Sequence, residues 1–133
     1  MASVLYDKGR EAFLSGTISW SSDTIKCYLL DLTAYTLNAA THQFLSDVPV
    51  GARVGTAQTL GSKTVTAGVA DAADPTFPSV PLGNACAAFL LYKDTGVAGT
   101  SPLIAYIDGF SVTPNGGNIT VQFDNGSNKV FKL

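Results

Sequence analysis

Short apolar runs recur from Thr24 to the carboxyl terminus, each closed within roughly ten residues by Gly, Pro, Asn or Ser, which is the punctuation of short β-strands. In one of them Ile119, Val121 and Phe123 alternate with polar residues, the period-2 pattern of a strand with one dry face. The strand candidates are residues 24–32, 52–60, 63–70, 86–92, 103–107, 119–123 and 129–133. The pattern predicts a mainly β, single-domain sandwich or open barrel of about six to eight strands spanning residues 1–133.

Two of these runs carry further predictions. In residues 24–32, Ile25, Cys27 and Leu29 share one face while Tyr28 and Leu30 make the other face apolar, so we expect a central strand. The last two runs are expected to form a hairpin because residues 124–126 (DNG) tolerate positive φ. The proline-rich residues 71–81 are either a long connection or an edge strand.

Helix is expected to be minor. One short amino-terminal helix is predicted within residues 5–14, with Gly16 as its carboxyl-terminal stop. Gly9 inside it costs roughly 1 kcal/mol relative to Ala, so this helix must depend on docking. A single helical turn carrying Phe44 and Leu45 is predicted before Pro49, capped by Asn38 or Thr41 in an ordered loop.

The charge content is low. Charged residues make up 14% of the chain, against about 25% in an average soluble domain, and Glu11 is the one glutamate. A net charge of −2 gives no basic field for a phosphate backbone, which disfavours direct nucleic-acid binding. No apolar run approaches the roughly 20 residues of a membrane span, and charges interrupt the amino terminus where a signal peptide is apolar. We therefore expect folding in a cytoplasm, with Cys27 and Cys86 reduced and buried.

Residues suited to catalysis are scarce. The chain has one histidine, His42, with no second His or Cys nearby, and neither a nucleophile motif nor a phosphate-binding loop occurs. Asp71 with Asp74, or Asp108 with Asp124, offer oxygen ligands to Ca²⁺, but solvated turn aspartates are the preferred interpretation. No enzymatic activity, cofactor or metal is predicted.

Trp20 leaves three roles open, namely a core residue, a protein interface and a platform for a sugar ring. The core is the preferred one, because aromatic residues in β proteins most often pack inside. The low charge content favours a protein whose surface is packed against other proteins in an assembly.

Three long strings carry a resemblance: LYDKGREAFLSG, SDTIKCYLLDLTAYTLNAATHQFLSDVP and LIAYIDGFSVTPNGGNITVQFDNGSNKVFKL. They resemble a family of small virion proteins of tailed bacteriophages, which has no catalytic motif to transfer. The chain departs from the usual pattern in Cys27, Cys86 and its proline-dense stretch.

The resemblance implies a structural component of the virion, assembled in the host cytoplasm. Its expected role is that of a decoration or cement protein that binds the outer capsid surface at joints between capsomers of the major capsid protein, either as trimers of itself or as spread-out monomers. A tail, neck or baseplate protein and a glycan- or host-binding β module are the alternatives. The candidate interface residues are Leu5, Tyr6, Phe13, Trp20, His42 and Phe44.

Overall fold

The computed structural model describes residues 2–123 and 129–132 and is mainly β, as predicted. Its one α-helix, α1, is Asp7–Leu14, and short 3-10 turns occupy Leu45–Asp47, Val50–Ala52 and Ala98–Thr100. The strands are β1 Ala2–Leu5, β2 Ile25–Leu30, β3 Arg53–Thr59, β4 Thr64–Thr66, β5 Val69–Asp71, β6 Thr76–Phe77, β7 Cys86–Lys93, β8 Leu103–Val112, β9 Ile119–Thr120 and β10 Phe131–Lys132. Among the described residues the strands number ten, more than the predicted six to eight, because some are only two or three residues long.

The central element is a five-stranded antiparallel sheet with the order β1-β8-β7-β2-β3. Strand β2 lies inside it, hydrogen bonded to β7 on one side and β3 on the other, so the prediction of a central strand is confirmed. Because side chains alternate across a strand, Ile25, Cys27 and Leu29 enter one core while Leu30 enters a second core on the opposite face. Both faces of the sheet are therefore covered.

The two cores have different covers. On the first face, two small open sheets, β10-β5-β4 and β6-β9, contribute residues such as Ala70, Phe77 and Phe131. On the second face, the segment between β2 and β3 covers the sheet with Tyr35, Leu45 and Val48. The sheet-on-sheet packing expected of a sandwich thus holds on one face, whereas an irregular segment with two 3-10 turns packs on the other.

Helix α1 is positioned by its contact with β8. Gly9 is buried, and a Cβ atom on it would lie 2.6 Å from the carbonyl oxygen of Leu103, so only glycine allows this close approach. At the carboxyl end, Gly16 has φ +79°, and the Gly16 and Thr17 N–H groups donate to the carbonyls of Phe13 and Ala12. These two bonds form a Schellman motif. The predicted helix and its stop are confirmed, and the helix is docked against β8 through Gly9.

One predicted strand and one predicted strand pairing were wrong. The run 63–70 is a hairpin of β4 and β5, turned at Ala67 and Gly68, whose φ angles are +52° and +78°. The carboxyl-terminal strands do not pair with each other, because β9 pairs with β6 and β10 pairs with β5. The predicted turn at 124–126 lies outside the described residues.

Within the proline-rich residues 71–81, Asp71 ends β5, Thr76–Phe77 is the two-residue strand β6, and the other residues form connections, so both interpretations apply in part. Strand β8 runs five residues further than the predicted 103–107 run, to Val112. No helix among the described residues has the length and apolar character needed to cross a membrane.

Candidate functional site

The predicted interface residues divide into two groups by burial. Leu5, Tyr6 and Trp20 lie in the cores, with 5%, 0% and 5% of their surface exposed, so their side chains offer almost no contact surface to a partner. This corrects half of the set, and the physical reason is that the two small sheets and the segment between β2 and β3 close over the two faces of the central sheet. The other half, Phe13, His42 and Phe44, is partly exposed.

Trp20 is a core residue, as the preferred interpretation held. Its indole N–H donates to the Asp71 carbonyl at 3.2 Å, and its ring meets Phe131 edge-on at 5.1 Å. A sugar-binding tryptophan presents a ring face to solvent, which Trp20 does not.

Phe44 lines a groove between α1 and the segment that covers the second core. We call this the helix groove, and its lining includes Lys8, Glu11, Ala12, Gln43, Phe44 and Pro102. Phe44 forms an isolated β-bridge with Pro102, and the Leu103 N–H donates to the Gln43 carbonyl at 2.8 Å. The groove walls are therefore tied to β8, which gives the groove a fixed shape.

His42 is held by a chain of hydrogen bonds that runs into the second core. The hydroxyls of Tyr6 and Tyr35 lie 2.8 Å apart, and the Tyr35 hydroxyl lies 2.8 Å from Nδ1 of His42. Burial is the main cause that raises the pKa of both tyrosines above the ordinary range. At neutral pH the two phenols are neutral hydrogen-bonding groups. This chain of hydrogen bonds gives His42 a structural role.

Asp47 and Arg53 organise the covering segment, and the sequence interpretation missed both. The Asp47 carboxylate accepts hydrogen bonds from the Gln43 and Phe44 N–H groups at 2.8 and 3.0 Å, and these bonds hold its pKa below the usual range. Arg53 donates from Nε and Nη2 to the Val48 carbonyl and from Nη2 to the Leu45 carbonyl. An acidic residue three positions after the start of a turn is a recognisable capping signal, whereas nothing local points to Arg53.

The predicted helical turn therefore exists as a 3-10 turn with a different cap. It begins at Leu45, and the Asp47 carboxylate caps it in place of Asn38 or Thr41. The Asn38 side chain accepts instead from the Ala40 and Thr41 N–H groups, both at 3.2 Å, and closes the preceding bend.

The two cysteines and the candidate Ca²⁺ ligands Asp71 and Asp74 are also buried or hydrogen bonded within the fold. Cys27 and Cys86 are free and buried, as predicted, and burial raises the pKa of the Cys27 thiol to about 12. Asp71 accepts from the Ala72 N–H at 2.9 Å, and Asp74 accepts from the Phe123 N–H at 2.9 Å. Within the described ranges no three His, Cys, Asp or Glu side chains cluster as metal ligands, and Asp124 lies outside those ranges.

A second surface feature is apolar and lies at the edge of the three-stranded sheet β10-β5-β4. It is a hollow, here called the edge hollow, and the lining residues that the structure describes are all uncharged: Phe13, Ser19, Trp20, Ser21, Val65, Gly68, Ala70 and Phe131. Phe13 thus belongs to a different surface from Phe44. The structure does not bring the predicted interface residues together into one site.

Neither a protein-family model nor a curated protein matches the chain.

Proposed function

We propose that this chain is a structural protein of the tailed-bacteriophage virion that binds the outer capsid surface and stabilises joints between capsomers of the major capsid protein. The proposal starts from the resemblance of the three long strings to phage virion proteins. A tail, neck or baseplate location is the alternative within the same class.

The observation that carries the proposal is the use made of the reactive side chains. The His42 ring bonds to Tyr35, the Asp47 and Asp74 carboxylates bond to backbone N–H groups, and Cys27 lies in the core. Groups of this kind elsewhere serve as acids, bases or nucleophiles, but here each one holds the fold. This arrangement suits a protein that acts through its rigid shape.

Rigidity follows from the two cores. A sheet packed on both faces deforms little, and a clamp across a joint must not yield when the joint is loaded. The helix groove is the surface that we assign to the capsid contact, because it combines a fixed shape with the half-buried Phe44 and the exposed Gln43. A contact of micromolar strength is worth about 8 kcal/mol, and repetition over a shell multiplies it.

The add-back assay tests the proposal directly. Particles stripped of this protein are titrated with it, bound copies are counted by gel densitometry, and the melting temperature of the shell is followed. We expect saturation at a fixed ratio to the major capsid protein and a raised shell melting temperature. Because few charges are present, raising salt from about 0.1 M to 1 M should weaken binding little.

A matched pair of variants tests the assigned surface. Gln43→Lys places a charge in the helix groove, while Gln122→Lys places the same charge on an exposed position outside it. We expect only the first to weaken shell binding. Equal effects would remove the groove from the proposal, binding at a single vertex or at the tail would favour the alternative location, and no binding would refute the capsid role.

The glycan-binding alternative receives no support from Trp20, which is buried. A glycan screen that gives a signal in the absence of shells would revive that alternative.

A further inference from the structure

The three-stranded sheet has an open outer edge at β4. In the order β10-β5-β4, no described strand pairs with the far side of β4. Its residues Thr64, Val65 and Thr66 are all exposed, and Val65 has 57% of its surface exposed. Proteins usually protect such an edge with charges, proline or a bulge. Here β4 carries no charge, and the preceding Lys63 donates its ammonium hydrogen bond to the Asp23 carbonyl.

The backbone of Val65 supplies the hydrogen-bonding groups of this edge. Val65 lies opposite Ala70 in β5, and the Ala70 carbonyl accepts a bond from the Val130 N–H on the other side of β5. In an antiparallel pair of strands, two opposite residues either exchange both of their backbone hydrogen bonds or both point their backbone N–H and C=O groups away from each other. Because the backbone N–H and C=O groups of Ala70 point away from β4, those of Val65 point outward from the sheet.

The side chains show that the sheet face ends abruptly at this edge. Phe131, Ala70 and Val65 lie opposite one another across β10, β5 and β4, so they form a single row on the face that lines the edge hollow. Phe131 and Ala70 are buried, while Val65 at the end of the row is exposed. A further strand with an apolar residue beside Val65 would complete the row.

We propose that the missing strand is β4 of a second copy of this chain, paired antiparallel about a two-fold axis at Val65. The segment Thr64–Val65–Thr66 has the same sequence in both directions, so each threonine would face a threonine and each Val65 would face the partner's Val65. The two valines would exchange both backbone hydrogen bonds. The contact is isologous, as a two-fold axis requires, and joins the two small sheets into one of six strands.

The charge pattern favours a copy of this chain as the occupant. Any charge at the axis would meet its own copy, and β4 has none. In this register Lys63 lies opposite the partner's Ala67, which places the two Lys63 side chains about 14 Å apart along the strands, beyond the screening length at physiological salt. Cross-strand Thr pairs add to the stability of a sheet. The contact is small, so we expect the dimer to form only at high protein concentration.

Two variants of exposed valines test the dimer. Val65→Lys places like charges at the axis, and Val97→Lys is its matched control at a site of similar exposure, 61%, just before the 3-10 turn Ala98–Thr100. Sedimentation equilibrium over a concentration series should show a monomer–dimer equilibrium for the native protein. We expect Val65→Lys to raise the dissociation constant at least about tenfold and Val97→Lys to leave it unchanged.

A cysteine cross-link tests the register. The partner Cα atoms at position 65 would lie about 5.5 Å apart, within the range that a disulfide spans. Val65→Cys should therefore form a disulfide-linked dimer under mild oxidation, while Val97→Cys stays monomeric, and the native cysteines are buried. A native protein that stays monomeric up to about 1 mM would overturn the proposal. So would equal cross-linking of the two variants, or pairing of this edge with a strand of a different protein in preference to a second copy.

Discussion

Gly9 of α1 lies directly against the carbonyl oxygen of Leu103 in β8, and a Cβ atom on Gly9 would lie 2.6 Å from that oxygen. The contact joins the helix to the central sheet at the level of the backbone. Neither partner can move away by a change of rotamer, because the atom in the way belongs to the main chain.

Gly9→Ala should therefore destabilise the protein. Alanine favours a helix over glycine by about 1 kcal/mol, but overpacking against a backbone atom costs about 1–3 kcal/mol and, here, more than the propensity returns. We expect a net loss in the free energy of unfolding, measured by urea denaturation. Gly99→Ala is the control, since nothing lies within 4 Å of a Cβ at that position. A more stable Gly9→Ala variant would contradict the close approach.

Tyr35→Phe should cost more than one hydrogen bond. It removes the hydroxyl that partners both Tyr6 and His42, and it leaves the fully buried Tyr6 hydroxyl without its partner. An unsatisfied buried group costs about 1–3 kcal/mol. In a double-mutant cycle with Tyr6→Phe, the paired change should cost less than the sum of the single changes, measured by urea denaturation. Additive costs would show that the hydroxyls do not interact.

Phe123→Ala should be among the most destabilising truncations. Phe123 is 4% exposed, and its ring centroid lies 5.6 Å from that of Phe89 in the first core. Large-to-small changes of a buried Phe cost about 3–5 kcal/mol. Leu82→Ala is the control, because Leu82 is 80% exposed. Equal melting temperatures for the two variants would place Phe123 outside the core.

The Asp47 cap should make the covering segment sensitive to acid. Hydrogen bonds from the Gln43 and Phe44 N–H groups depress the pKa of Asp47 in the folded state. A depressed folded pKa contributes stability above the unfolded pKa of about 4, and this contribution is lost as the pH falls through the folded pKa.

Asp47→Ala isolates this contribution. At pH 7 the free energy of unfolding of the variant should be about 1 kcal/mol lower than that of the native protein, which is typical for loss of a cap. The difference should begin to shrink as the pH falls below about 4, where the carboxyl of the unfolded chain becomes protonated, and should keep shrinking until the native carboxyl is protonated at its lower pKa. Denaturation curves at several pH values measure it, and a difference that stays constant with pH would rule out the cap as its source.

Local features were predictable wherever neighbouring residues alone decide the outcome. The alternation in β2 indicated two apolar faces, and the structure places Cys27 in one core and Leu30 in the other. Gly16 ends α1 as expected, because a left-handed residue after a helix is a property of a few consecutive backbone angles. Burial of both cysteines followed from the apolar runs around them.

The candidate site was less predictable than the fold. The predicted interface set includes Tyr6 and Trp20, and the structure buries both, since aromatic side chains suit a core as well as a contact surface. Arg53 reaches the Leu45 and Val48 carbonyls, but its role depends on how the covering segment folds back over β2. No residue type or spacing within the sequence reports such a contact.

What the sequence by itself determined is the β class, the short amino-terminal helix and the residues that turn inward, because periodicity and turn chemistry are local. What only the tertiary structure decided is which strands pair. Strand β10 joins β5 and β9 joins β6, although nearness along the chain favoured a hairpin between β9 and β10. An apolar strand face can be buried against any complementary surface, so partner choice depends on the packing of the whole chain.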